Sequence, residues 1–174
     1  MVPKQKTLFV ALAAAVIFGA CSDDSPFTPG LLNKLFGATL TVADEVPAPV
    51  GAPTSSGTAN ITMIDTNTIR VQTIVSSIDS VTQAHIHAAA PGVAGPIMVF
   101  LAGPFGTALV ARGANSVTTL NGVLSHVDIT RSTAFQGVFT FDSLRYRVQN
   151  GTAYVNVHTR KNPGGEIRGQ ILVK

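Results

Sequence analysis

The stretch that most restricts the fold is the last one, "AYVNVHTRKNPGGEIRGQILVK", residues 153–174. Apolar and polar side chains alternate on both sides of "NPGG", the pattern of a β-hairpin with one buried face. A two-residue loop at Pro163-Gly164 would set Val157 against Gln170 and mix the two faces, since a one-residue slip reverses every side chain. A three-residue loop avoids this. Pro163 and Gly164 then occupy the centre of a type I turn, and Gly165 takes the left-handed bulge position that a residue without Cβ favours. In that register Val155 faces Val173, Val157 faces Ile171 and Thr159 faces Gly169 on the buried side. The other side carries Asn156, His158 opposite Gln170, and Arg160 opposite Arg168. His158 is therefore expected to point outward, beside two arginines.

At 174 residues the chain is long enough for one domain with a substantial core. The formal charge of +3 is a poor guide to partners, because Lys4 and Lys6 precede an apolar run, "TLFVALAAAVIFGAC". That run is too short to span a bilayer, and residues 1–20 have the form of a secretory signal. Setting those two lysines aside leaves 10 basic against 9 acidic side chains, scattered along the chain with no stripe. No nucleic-acid partner is expected.

The single cysteine, Cys21, follows the apolar run directly and has no partner for an internal disulfide. "FGAC" resembles a bacterial lipoprotein cleavage box, with Phe18 where leucine is usual. The expectation is a lipidated Cys21 that anchors the mature chain to a membrane. Residues 21–34, including "SDDSPFTPG", then serve as a polar, proline-broken tether. The domain proper covers 35–174, exported to the cell envelope. Ser22 after the cysteine points to the outer membrane or cell surface rather than the inner membrane.

From Leu35 onward short β segments alternate with turn residues. They are "LFGATLTV", "TANITMI" and "TIRVQTIV" around the hairpin signal "DTN", then "VTQAHIHAA", "PIMVFL" and "VLSHVDIT". "DEVPAPVGAPTSSG" reads as a long loop, and "FGTALVARGANS" as a loop too. One segment is helical: Phe141, Leu144 and Val148 recur at helical spacing, Thr140 or Asp142 can cap the start, and Asn150-Gly151 can end it. The pattern predicts an all-β fold, a Greek-key-like antiparallel β-sandwich of roughly eight strands with one short helix.

His85 and His87 in "AHIHA" lie two apart and share one face of a strand, opposite Ala84, Ile86 and Ala88. The apolar set suits the core, so the histidine pair is expected to face outward, as His158 does. His126 is less clearly placed. Outward imidazoles on neighbouring strands suit hydrogen bonding to nearby loops, with Asn156, Gln170, Glu166 and Arg168 at hand. The alternative is a copper or zinc site formed by His85, His87 and His158, because a His-x-His pair offers two ligands from one rigid strand. Arg160 opposite Arg168 would be a like-charge cross-strand pair, relieved in part by Glu166 or by an anion or an acidic protein partner. No nucleophile motif and no phosphate-binding glycine loop is present, so catalysis is not the expected role.

"AHIHAAAPGVAGPIMVFL", followed by "GTAYVNVHTRKNPGGEIRGQI", resembles the CHRD domain, the repeated module of the growth-factor antagonist chordin, found singly in secreted bacterial proteins. The resemblance implies an extracytoplasmic β-sandwich used as a binding or structural module. Growth-factor binding is not implied for a lipoprotein-like chain. A second similarity is to copper/zinc superoxide dismutases, which share a His-x-His strand, a later "VH" strand and a Gly/Arg-rich closing hairpin. By that analogy His85, His87 and His158 would be copper ligands and Arg168 would lie near an anionic substrate. The histidine-rich zinc loop and the internal disulfide are missing, so dismutase activity is not implied.

Overall fold

The computed structural model describes residues 34–51, 53–104 and 120–174. The signal segment, Cys21, the tether up to residue 33 and the "FGTALVARGANS" segment lie outside the described residues.

The strands are β1 Leu35–Thr41, β2 Ser56–Met63, β3 Thr68–Ile78, β4 Val81–Ala88, β5 Ile97–Ala102, β6 Leu120–Thr130, β7 Ala153–Thr159, β8 Ile167–Gln170 and β9 Leu172–Val173. Among the described residues one helix, α1 Phe141–Gln149, lies between β6 and β7. All pairings are antiparallel, in the order β5-β4-β7-β8-β1-β2-β3-β6, with β9 continuing alongside β1. The all-β antiparallel expectation therefore holds. Instead of two separate layers, a single sheet curls until its end strands β5 and β6 touch, giving a nearly closed barrel with sandwich-like character.

The alternation that predicted β1, β2 and β3 is realised. Phe36 and Leu40, Ile61 and Met63, and Ile69 and Val71 are buried, while their neighbours along each strand remain at least partly accessible. The "DTN" hairpin forms as expected, with Met63 opposite Ile69. Helix α1 buries Phe141, Leu144 and Val148, the three positions picked out by spacing. Thr140 is its cap: its Oγ1 accepts from the Ser143 N–H, and Ser143 Oγ accepts from the Thr140 N–H. At the other end Asn150 caps, and Gly151 turns the chain away at φ +63°.

The closing hairpin departs from the expected register. Val157 pairs with Ile167, Asn156 with Arg168, Val155 with Gly169 and Tyr154 with Gln170. The local turn is as read, since the Gly165 N–H donates to Asn162 O across Pro163-Gly164 and Gly165 has φ +132°. That turn, however, is nested inside a wider loop closed by the Glu166 N–H donating to Val157 O at 2.8 Å. Within it the Glu166 carboxylate accepts from Ser55 Oγ (2.6 Å), Thr159 Oγ1 (2.7 Å) and Asn162 Nδ2 (2.9 Å). These side-chain bonds replace the ladder that the tighter hairpin would have made.

The slip is four residues, an even number, so the division between the two faces survives it. Val155, Val157 and Ile167 still point into the aliphatic core, and the polar set still shares the opposite face. What changes is the exposure of that face. Strand β7 is buried at every position, and β4 nearly so. The second face of this part of the sheet is covered.

Candidate metal centre

The covering is made by loops. Arg168 donates from Nη2 to Val93 O at 2.6 Å, and Gln170 from Nε2 to Ala89 O at 3.1 Å. The Gly95 N–H donates to Tyr154 Oη at 3.1 Å. The segment between β4 and β5 is thereby drawn across the polar face. The loop after β1 is held by Asn162 Oδ1, which accepts from the Val50 N–H, and by the Ser55–Glu166 bond. His85, His87 and His158 are therefore buried, not outward, at 0%, 7% and 5% exposure.

The register brings the three together. β4 lies beside β7 with Gln83 opposite His158, His85 opposite Asn156 and His87 opposite Tyr154. The His85 ring contacts both its strand neighbour His87 and the diagonal His158, with centroids 5.4 and 4.7 Å away. From the β5 side Phe100 closes edge-on against His85 at 4.5 Å. Tyr154 stacks nearly parallel on His87 at 4.8 Å.

Hydrogen bonds decide which nitrogens carry protons. His87 Nδ1 lies 2.8 Å from Gly95 O, and His158 Nδ1 lies 3.0 Å from Pro163 O. A carbonyl only accepts, so both Nδ1 atoms carry hydrogen and both Nε2 atoms keep a lone pair. His85 Nδ1 lies 3.1 Å from His158 Nε2 and donates to it. The Nε2 atoms of His85 and His87 are buried without a partner. One nitrogen from each ring lies within 4.8 Å of the others.

Burial holds all three rings neutral. It lowers the pKa of His85 to about 3, with further lowering from His158 and His87. It lowers that of His87 to about 4, with smaller contributions from His158 and Arg168. His158 is lowered as well, again mainly by burial. An imidazole that resists protonation keeps its lone pair for a metal.

Arg160 and Arg168 do not face each other. Arg160 is exposed in the loop, where its N–H donates to Ser80 O, and Arg168 lies opposite Asn156 and Thr41. The Arg168 side chain is 2% exposed and lies over the Tyr154 ring, 3.7 Å from its centroid. Glu166 is bonded to Ser55, Thr159 and Asn162 instead of compensating Arg168. Glu45, from the loop after β1, joins the polar layer in its place, accepting from Asn156 Nδ2 at 3.2 Å. Burial pushes the Glu45 carboxyl upward, against the smaller opposing effects of the Val46 N–H and Arg168.

His126 stands apart on β6, exposed and opposite Gln72. Tyr154 and Glu45 were missed by sequence reasoning. Tyr154 is legible in hindsight, since it alternates with Asn156 and His158 on one strand. Glu45 sits in a loop and carries no periodic signal.

The family model for the CHRD domain matches residues 36–171, most of the chain. Neither the curated proteins nor the solved structures yield a match. The His-x-His strand and the Asn-Pro-Gly-Gly hairpin both fall within that match, and the chain belongs to the CHRD domain family, small modules of extracellular type.

Proposed function

We propose that this CHRD module is an exported, lipid-anchored metal-binding protein whose His85, His87 and His158 hold one copper or zinc ion. The carrying observation is the set of three buried, neutral imidazoles with nitrogens within 4.8 Å of one another, two of them with Nδ1 already committed to backbone carbonyls. Carbonyls that fix the tautomer and ring orientation are a common outer support of metal-bound histidine. His85 Nδ1 and His158 Nε2, 3.1 Å apart, would subtend about 100° at an ion bound at about 2.0 Å, once the proton they share in the metal-free state has moved to His85 Nε2. In three-coordinate geometry two bonds of about 2.1 Å set their nitrogens about 3.6 Å apart, so a pair 4.8 Å apart has to close by about 1.2 Å. The role read here is ion binding, with three imidazoles and no carboxylate or thiol in the group among the described residues.

A second reading has its own support: the His85–His158 hydrogen bond is a satisfactory metal-free contact and would make the layer a structural network. Elemental analysis of the purified protein separates the two. About one equivalent of metal is expected in the wild type and under a tenth of that in His85→Ala/His87→Ala. His158→Gln, closer in shape, serves should the double variant fail to fold. Equal metal content in wild type and variants, or none in the wild type, refutes the site.

The anchor rests on the lone Cys21 at the end of the signal segment. Cys21→Ser is expected to move the protein from the detergent phase to the aqueous phase on phase partitioning. An unmoved protein would rule out lipid attachment at that residue.

A further inference from the structure

We infer that the ion this site is built to hold is copper in its reduced, cuprous state. This rests on the tri-histidine reading above and goes on to choose among the ions that imidazole suits.

Charge is the first ground. The three donors are neutral, and no Asp, Glu or Cys joins the group of candidate ligands among the described residues. A divalent ion would lie buried with no anionic ligand to neutralise it. Moreover, the Arg168 guanidinium lies on the Tyr154 ring that stacks against His87. The cost of taking an ion out of water rises with the square of its charge, so a divalent ion suffers about four times the penalty of a monovalent ion of equal size. Glu45 is buried on the same face, but its bonds go to Asn156 and the Val46 N–H, and burial favours its neutral form.

Coordination number is the second. Zinc takes four ligands, with water completing the set where the protein gives only three, and cupric ion prefers a tetragonal arrangement. Here Phe100 closes one side of the histidine cluster, Tyr154 another, and the segment carrying Val93 and Gly95 is tied down over the polar layer. Cuprous ion, with a filled d shell, is content with three nitrogens and no water. An angle of about 100° between His85 and His158 falls near trigonal and tetrahedral geometries alike, and the remaining gap closes by side-chain movement.

The decisive experiment uses the full-length protein in detergent, without oxygen. Cuprous ion is titrated in competition with a cuprous-specific chelator; cupric and zinc ions are titrated separately against chelators of known affinity. The expected result is a cuprous dissociation constant at least a hundredfold below both others, with bound copper silent in electron paramagnetic resonance. A margin under a hundredfold, or tighter cupric or zinc binding, overturns the inference and leaves the metal site standing. Binding of none of the three removes the site and the inference together. His87→Gln is expected to weaken cuprous binding at least a hundredfold; an unchanged affinity also overturns the assignment.

Discussion

Replacing Glu166 by alanine is expected to destabilise the domain by about 3–5 kcal/mol, because three donors lose a buried acceptor at once. The carboxylate is 6% exposed and accepts from Ser55, Thr159 and Asn162. A buried donor left without an acceptor costs about 1–3 kcal/mol, and three such losses in one network are not independent, hence the range. Glu166→Gln keeps the shape and one acceptor oxygen but turns an amide toward groups that also donate, so an intermediate loss is expected. Urea unfolding at neutral pH measures both. A loss under about 1 kcal/mol for the alanine variant would mean that water replaces the carboxylate without penalty, and that the network does not hold the loop. The proposed metal site would feel the same change, since the loop that Glu166 fixes carries Pro163, whose carbonyl orients the His158 ring. The variant is therefore expected to lose metal affinity as well as stability, though it touches no ligand.

Glu166 also explains how much of this molecule its sequence discloses. Alternation in β7 and β8 separates inward from outward side chains correctly, and an even slip leaves that separation intact. The register itself is fixed by bonds that periodicity does not contain. Ser55 and Glu166 are 111 residues apart, Val50 and Asn162 112, and Arg168 and Val93 75. These contacts also pull the loops over the polar face, so imidazoles and a guanidinium on the non-core side end up buried. Period-2 reasoning assigns such residues to solvent because it knows two faces of a strand and nothing of what covers the second. The helix was readable because its determinants are local: a cap at Thr140, apolar positions three and seven residues apart, and a glycine at the exit. Adjacency of His85 and His87 was local too. Their meeting with His158 required β7 to insert beside β4, a pairing across 73 residues that no short-range pattern encodes.

The metal-free protein is expected to lose stability steeply as pH falls from 7 to 4.5, and the sign follows from the histidines. In the unfolded chain each ring takes a proton near pH 6.5, whereas in the fold His85 resists to about 3 and His87 to about 4. The unfolded state thus binds more protons across this window, so acid favours unfolding; the contribution is complete above pH 6.5 and is lost as pH drops towards the folded values. Each ring kept neutral down to pH 4.5 accounts for about 2–3 kcal/mol, so the pair gives roughly 5 kcal/mol. Arg168 already contributes to the lowering at His87, and His158, also lowered, extends the effect. Glu45 works in the opposite direction, because a carboxyl held above its usual range favours the folded state as it takes up its proton. Asp128 and Asp142 are held low by Arg70 and Arg131, but both are largely exposed and their window lies below that of the histidines. Urea midpoints at pH 7 and 4.5, after removal of metal with a chelator, test the expectation. A flat profile would mean that the rings accept protons inside the fold, and that the loops do not seal the layer. His85→Gln should remove about half of the drop, since a side chain that does not titrate contributes nothing to the difference. Loading the site with metal should raise the neutral-pH midpoint and steepen the acid loss, because protons compete with the ion for the same three lone pairs.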